Sequence, residues 1–468
     1  VKRLKQPTRN AKFALLAMII VLLTMSISGY GGDQSTTSEV DVAFIANPDR
    51  SLFYGETLTI ASASEWDLHL RLLVTQYMVE NPGVNVELIN LRPYTLDADR
   101  LANKRDQLGI QFMAGSAPVL IDGTFVDHRD PRSAHFFVDW FAIMTADPNF
   151  HEDDWFMNVF HASAVNGRLH AFPMKFHYET VTANSTVPGL SEALAAQDSV
   201  TLSELMELHR RISVDTSFLF DPYFDISWAV QLGLDSFLNM ETGLVDFNNQ
   251  QFIDLITYIR EITRQNMSLQ PQWRYWIDPE LETYWSGNFF FSFYRMYQDF
   301  PHFETGPLFT ELTPRVNERG ELLVDTSWST YVLSANATPV EQALAWDFIQ
   351  FVMNPDNRDT LVHMQPTNRH LFHHGAVLWL RHTIGTTRED FGWQLLTDTI
   401  DESVEDVKIR MEAHSDMPMA NTRTLPFAIE NIIDEALELF HNGLVSAEQT
   451  AADLQNRVTL VLMEMGIN

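Results

Sequence analysis

The sequence predicts a mixed α/β protein built from more than one lobe, and three observations carry that expectation. Its 468 residues exceed what one hydrophobic core normally serves. A strand, a helix and a second strand follow one another at the start of the globular part, an order that argues for a parallel sheet with a crossover helix. Further on, Asn166-Gly167 marks a tight turn before an alternating segment through Leu169 and Ala171 that Pro173 stops, and a second extended run follows from Met174 to Ala183. A hairpin that runs into a proline-punctuated extended segment suits a chain passing from one lobe to another.

In chain order, Leu58 to Ala61 has a buried-strand pattern. From Trp66 to Glu80 apolar residues recur at helical spacing (Leu68, Leu72, Leu73, Tyr77), and Asn81-Pro82-Gly83 ends the run. Val84 to Ile89 is the next strand. Arg105 to Ala114 is helical, and Gly115 to Pro118 turns into the apolar strand Val119 to Ile121. After the hairpin and crossover, Thr201 or Ser203 can cap a helix whose first turn is acidic. Gly306 to Leu308 and Tyr331 to Ala335 read as return strands, and no internal repeat is present.

The segment from Val165 to Tyr178, with Thr182-Ala183-Asn184 after it, resembles the "(D/N)GKLYALP…YYN" crossover of family 1 extracellular solute-binding proteins, the sugar-type, maltodextrin-binding-protein-like receptors of bacterial ABC importers. The resemblance recurs in order. "MAGSAPVLID" (113–122) is similar to the family's "AG-x-x-PDV", with Val119 where the Asp usually stands. Thr201 to His209 resembles its "TWDEL" helix start, Asp246 to Asp254 its "v-d-F-d-s-p-e-f", and Ala337 to Phe351 its "s-k-n-p-E-x-A-w-x-F". Met417-Pro418 and Val445 to Val458 resemble its last segment and terminal helix. The resemblance implies a two-lobed periplasmic-binding-protein-like fold with a hinge and an inter-lobe cleft. It implies a first lobe of residues 56–172 plus 305–365 and a second of 173–304 plus 366–468. The function implied is capture of a solute, an oligosaccharide or polyol, by hinge closure and delivery to an ABC transporter permease, without catalysis, without a cofactor and as a monomer.

Composition sets limits of its own. An apolar share of 45% with 32 Phe supplies real cores, and a formal charge of −31 opposes nucleic-acid or anionic-membrane binding through the body of the protein. The first residues differ: Lys2, Arg3, Lys5, Arg9 and Lys12 precede an apolar run from Phe13 to Met25 and then small residues, the pattern of a secretory signal peptide over 1–29. Five of the 31 basic residues and no acid lie there, so a processed chain stands at about −36. Ile27-Ser28-Gly29 resembles a lipobox, but Tyr30 holds the position of the lipid-bearing cysteine. Release after cleavage, retention through an uncleaved signal, and a substitution at this position are all compatible with it; in each case the expected location is exported, at the extracellular face of the cell membrane or secreted. Residues 30–54 read as a flexible polar tether, and with no cysteine there is neither disulfide nor thiolate metal site.

Candidate ligand contacts are aromatics and carboxylates at strand or loop ends: Glu65, Trp66, Asp122, Tyr178, Asn184, Trp228, Trp276, Trp285 and Trp328. An aromatic face packs on the C–H face of a sugar, and a strand-end carboxylate accepts hydrogen bonds from vicinal hydroxyls. Each tryptophan has core packing as its alternative, Asp122 has capping, and Asn184 has support of the hinge. Asp67, beside Trp66, reads as a helix cap. The histidines at 363, 370, 373, 374 and 382 lack the spacing of a metal site, so surface or lobe packing is expected of them. No nucleophile elbow, Walker loop or dinucleotide fingerprint occurs. A secreted carbohydrate-active hydrolase with an unidentified carboxylate pair, and a sensory receptor without a transport role, remain the alternatives.

Overall fold

The computed structural model describes residues 42–63, 67–95, 97–184, 190–212, 218–220, 230, 233–267, 289–295, 309–326, 330–354, 417–422 and 425–467. In chain order the described helices are α1 (Val42–Ala46), α2 (Asp67–Glu80), α3 (Ala98–Met113), α4 (Trp140–Ala146), α5 (Met157–Ser163), α6 (Leu190–Ala195), α7 (Leu202–Ile212), α8 (Gln250–Met267), α9 (Pro339–Val352), α10 (Phe427–His441) and α11 (Ala447–Glu464). The strands are β1 (Thr57–Ser62), β2 (Asn85–Asn90), β3 (Leu120–Asp122), β4 (Ala171–Pro173), β5 (His177–Asn184), β6 (Phe218–Phe220), β7 (Leu238–Asn239), β8 (Leu244–Val245), β9 (Phe289–Arg295), β10 (Phe309–Pro314), β11 (Leu322–Asp325), β12 (Thr330–Leu333) and β13 (Met419–Asn421).

Two larger sheets organise these elements. The first runs β2-β1-β3-β12-β4, with β1, β2 and β3 parallel and β12 antiparallel to both β3 and β4. The expected strand–helix–strand unit is β1, α2 and β2. One face of this sheet is covered by α2 and α9, where Tyr77 meets Phe348 and Phe351 edge-on at 5.2 and 5.1 Å. The core on α3 gathers Leu108, Phe112, Phe125 and Phe137. An aromatic cluster seats β4: Phe172 meets Trp140, Trp155, Phe160 and Trp346 at centroid distances of 5.1–6.1 Å. The second sheet runs β13-β11-β5-β9-β6, and β10 also pairs with β5. Its helical layer is α7, α8, α10 and α11, joined in one apolar core through residues such as Leu205, Phe252, Ile433 and Leu454.

Local chemistry explains the element ends. Asn166 (φ 51°) and Gly167 (φ 73°) form the two-residue turn, closed by reciprocal Val165–Arg168 backbone hydrogen bonds of 2.9 and 3.0 Å. Both central residues need positive φ, which Asn and Gly tolerate best. Thr201, the first of the two residues expected to cap α7, does so reciprocally with Glu204: its hydroxyl accepts from the Glu204 N–H at 3.2 Å, and its own N–H reaches the Glu204 carboxylate at 2.8 Å. Thr338 with Glu341 and Ser446 with Gln449 close the same box on α9 and α11.

Three expectations are corrected. The flexible tether assigned to 30–54 does not extend through 42–54: Ile45, Ala46 and Phe53 are buried, and Arg50 pairs with Asp347 on α9. Val42 to Ala46 and Leu52 to Tyr54 are apolar, but the helix residue that receives Arg50 lies 297 positions on and is invisible locally. The return to the first lobe comes after Asp325 and not at residue 305, because β10 and β11 both pair with β5 in the second sheet. A strand's own residues do not name its sheet. Helix α3 begins at Ala98, seven residues before the expected Arg105, capped by the Asp97 carboxylate on the Arg100 N–H at 3.0 Å. Gly306 to Leu308 and the histidines of 363–382 lie outside the described residues. Among the described residues no helix is long and apolar enough to cross a membrane.

Candidate ligand cleft

The chain passes between the sheets at two adjacent places. Pro173, the end of β4, is followed by three residues before β5 begins, so the two strand ends lie within about 14 Å. The opposite passage, from β11 at Asp325 to β12 at Thr330, is flanked by the same strands. Thr330 is register partner of Pro173 in the first sheet, and Asp325 of His177 in the second. Two short connections side by side bring one edge of each sheet to face the other. On the first sheet that edge is the carboxyl end of β1, β3 and β4, where ligands of helix-covered sheets bind. On the second it is the start of β5 and the ends of β11 and β13. Polar ties secure the junction: the Asn421 amide donates to the Thr326 hydroxyl at 2.6 Å and to the Ser163 hydroxyl at 3.2 Å.

Asp122 stands at the facing edge of the first sheet, 5% exposed, opposite Tyr331. One carboxylate oxygen accepts from the Thr124 N–H (3.0 Å) and hydroxyl (2.7 Å), and the other from the Ala63 N–H at 3.2 Å. Burial pushes its carboxyl above the ordinary carboxylate value, and the Thr124 and Ala63 bonds pull against that. Asp122 thus caps the short helical turn Gly123–Phe125, the bland alternative for this residue. Gly123 is needed beside it, since a Cβ there would lie 2.4 Å from the Thr330 hydroxyl. The Tyr331 hydroxyl donates to Ser62 at 2.9 Å and ties β12 to β1 at the same edge.

The register separates two of the candidates. Tyr178 pairs with Val324 near the start of β5, whereas Asn184 pairs with Phe309 at its far end, about 20 Å away along the strand. Asn184 is therefore remote from the facing edges. Glu65, Trp66, Trp228, Trp276, Trp285 and Trp328 lie outside the described residues. A groove of about 460 Å³ between α7, α8 and Glu318 sits at the other end of the second sheet and is not this cleft.

The sequence reading passed over the run Asp127-His128-Arg129-Asp130, whose signal was four consecutive ionisable residues just after a strand end. The Asp127 carboxylate accepts from the Phe427 N–H at 3.0 Å, at the first turn of α10 in the second lobe. Arg105 donates twice to the Thr124 carbonyl, at 3.1 and 2.9 Å, and lies 3.8 Å from the Phe427 ring centre. Arg129 approaches Glu430 at 3.8 Å. Burial lifts the Asp127 carboxyl to about 6, and it depresses the imidazoles of His128 and His170. Among the described residues no group of three His, Cys, Asp or Glu could hold a metal ion.

No protein-family profile and no curated protein sequence matches the chain. Solved structures do. The sugar-binding protein MalE of Xanthomonas citri matches at 13% identity and a TM-score of 0.57, over 87% of this chain and 98% of its own. The cyclic α-maltosyl-1,6-maltose binding protein of Arthrobacter globiformis matches at 13% and 0.54, over 87% and 99%. UgpB of Mycobacterium tuberculosis, solved with glycerophosphocholine, matches at 12% and 0.53, over 88% and 99%. At such identities the likeness speaks for architecture alone: this chain has the two-lobed α/β fold of the sugar-type solute-binding proteins.

Proposed function

We propose that the chain is an exported solute-binding protein that captures an oligosaccharide or polyol between its lobes and presents it to an ABC importer permease. The observation that carries this reading is the pair of adjacent short connections at facing strand edges, the arrangement in which two lobes close over a ligand by turning about their junction. The named neighbours, which bind maltose-type sugars or glycerophosphocholine, support the solute class. Ligand contacts made only in the closed form shift the open–closed equilibrium. Trp66, Glu65 and Trp328 are assigned as first-lobe contacts, with Asp122 supporting that edge from beneath. Tyr178, Trp228, Trp276 and Trp285 are assigned to the second. Asn184 is assigned to support of β5. Residues 1–29 serve as the export signal, and Tyr30 leaves no thiol for lipidation.

A thermal-shift screen of the full chain against oligosaccharides, polyols, sugar phosphates, peptides and divalent metals tests the reading. At a hundred times its dissociation constant a ligand adds about 2.7 kcal/mol of stability. A shift from one sugar or polyol class, with the ligand recovered unchanged, supports it. A silent carbohydrate panel beside a shift from metal or peptide refutes the solute class, and hydrolysed ligand refutes the binder.

A further inference from the structure

Besides the peptide connections and the packing of α5 on β11 and β13 beside them, the described lobes meet where the loop after β3 reaches the start of α10. Asp127 follows β3 at the facing edge of the first sheet, and Phe427 opens α10 just after β13 at the facing edge of the second. The loop bearing Asp127 is held in shape without help from the second lobe. The Ser133 hydroxyl donates to the carbonyls of Asp127 and Asp130, and the Arg132 guanidinium grips the Asp130 carboxylate at 2.6 and 3.0 Å. Arg105 is fixed on the Thr124 carbonyl, with its guanidinium carbon over the Phe427 ring. Such a contact requires no ordering at the moment of closing, so little entropy opposes it.

We propose that Asp127, with Arg105 and Arg129, forms a lobe-to-lobe latch on the first turn of α10, and that this latch sets how much of the protein is closed before any solute arrives. It rests on the two-lobe closure proposed above and adds a regulatory element to it. Asp127 supplies a carboxylate to an N–H at the positive end of a helix, and Arg129 answers Glu430 one turn further along. The latch is also proton-sensitive. Oδ2 takes the Phe427 hydrogen bond, while Oδ1 is enclosed without a hydrogen-bond partner among the described residues. The charged groups facing Asp127 are Arg105 from α3, Arg129, Asp130 and Arg132 from its own loop, and Glu430 from α10. Burial outweighs the cations, so the latched carboxyl titrates at about 6 and not at the ordinary 3.8. A carboxyl that opens to water returns toward that ordinary value. The closed form therefore binds the proton more tightly, and closure strengthens as pH falls through 6 and levels off below about 4. Between pH 7 and pH 5 this raises the closed-to-open ratio about tenfold.

The chain contains no cysteine, so Ala102→Cys on α3 and Glu438→Cys on α10 accept a spin-label pair without competing thiols. Distance distributions are measured on the solute-free full chain at pH 7 and pH 5. Asp127→Ala is expected to lower the closed-to-open ratio about fivefold at pH 5, where the latched carboxyl is protonated and its burial carries no charge, the effect of a lost helix cap. Asp127→Asn, a neutral acceptor of the same shape, is expected to hold the closed population at one value at both pH values. Distributions in Asp127→Ala that match the parent at pH 5 overturn the latch. A pH response that persists in Asp127→Asn overturns its proton sensitivity. A silent solute screen refutes the solute reading and leaves these distances untouched, so the two failures are distinguishable.

Discussion

Replacing Asp347 by Ala removes a side chain that ties the segment around Arg50, α2 and α9 together. Asp347 is buried on α9; it accepts from the Tyr77 hydroxyl at 2.7 Å and pairs with the Arg50 guanidinium, itself 67% exposed. Tyr77 is fully enclosed between Phe348 and Phe351, and burial with the adjacent carboxylate pushes its phenol far above the ordinary value. The substitution loses a charge-assisted hydrogen bond worth about 1.5–3 kcal/mol and leaves the phenol hydroxyl buried without its acceptor. Arg50 regains water and contributes less than about 1 kcal/mol. The expected loss is about 2–4 kcal/mol, or about 4–16 °C in melting temperature by the scaling of large domains. Tyr77→Phe leaves Asp347 its Arg50 partner and is expected to cost about 1–2 kcal/mol, and Arg50→Ala less than about 1. Calorimetric melts of the three variants give the ranking directly. If Asp347→Ala melts with Arg50→Ala, within 1–2 °C of the parent, the carboxylate holds nothing buried and the reasoning from its contacts with Tyr77 and Arg50 fails.

Other consequences can be checked in the same way. Phe172→Ala opens a hole amid Trp140, Trp155, Phe160 and Trp346 one residue before the crossover, with an expected loss of about 3–5 kcal/mol in denaturant melts. A loss below about 1 kcal/mol would contradict that cluster. His128 and His170 are buried and their imidazoles are depressed, so the unfolded chain binds their protons first. Stability should be full above about pH 6.5 and fall as the pH drops below it. His170→Gln should flatten that fall between pH 7 and pH 5, and an unchanged slope assigns the acid sensitivity elsewhere. Asp122, raised by burial, acts in the opposite sense at lower pH.

Local patterns were legible wherever the signal is short-range. The Asn166-Gly167 turn and the Thr201 cap each depend on residues within four positions of one another, and each occurs where the residues place it. Asp122 was legible as a strand-end carboxylate, but whether it faces solute or caps its own turn depends on Thr124 and on Ala63, 59 residues away. The latch residues were missed because Asp127 and Phe427 are 300 positions apart and neither belongs to a motif.

By itself, the sequence determined the kinds of element, their order, and the presence of an extended crossover, because periodicity, capping and turn chemistry act over a few residues. Only the tertiary structure decided that β10 and β11 join the second sheet, that the segment around Arg50 meets α9, and that Asp127 reaches α10. Those outcomes rest on hydrogen bonds and ion pairs between segments far apart in the chain. Their free energy appears only when the whole chain has closed the intervening loops.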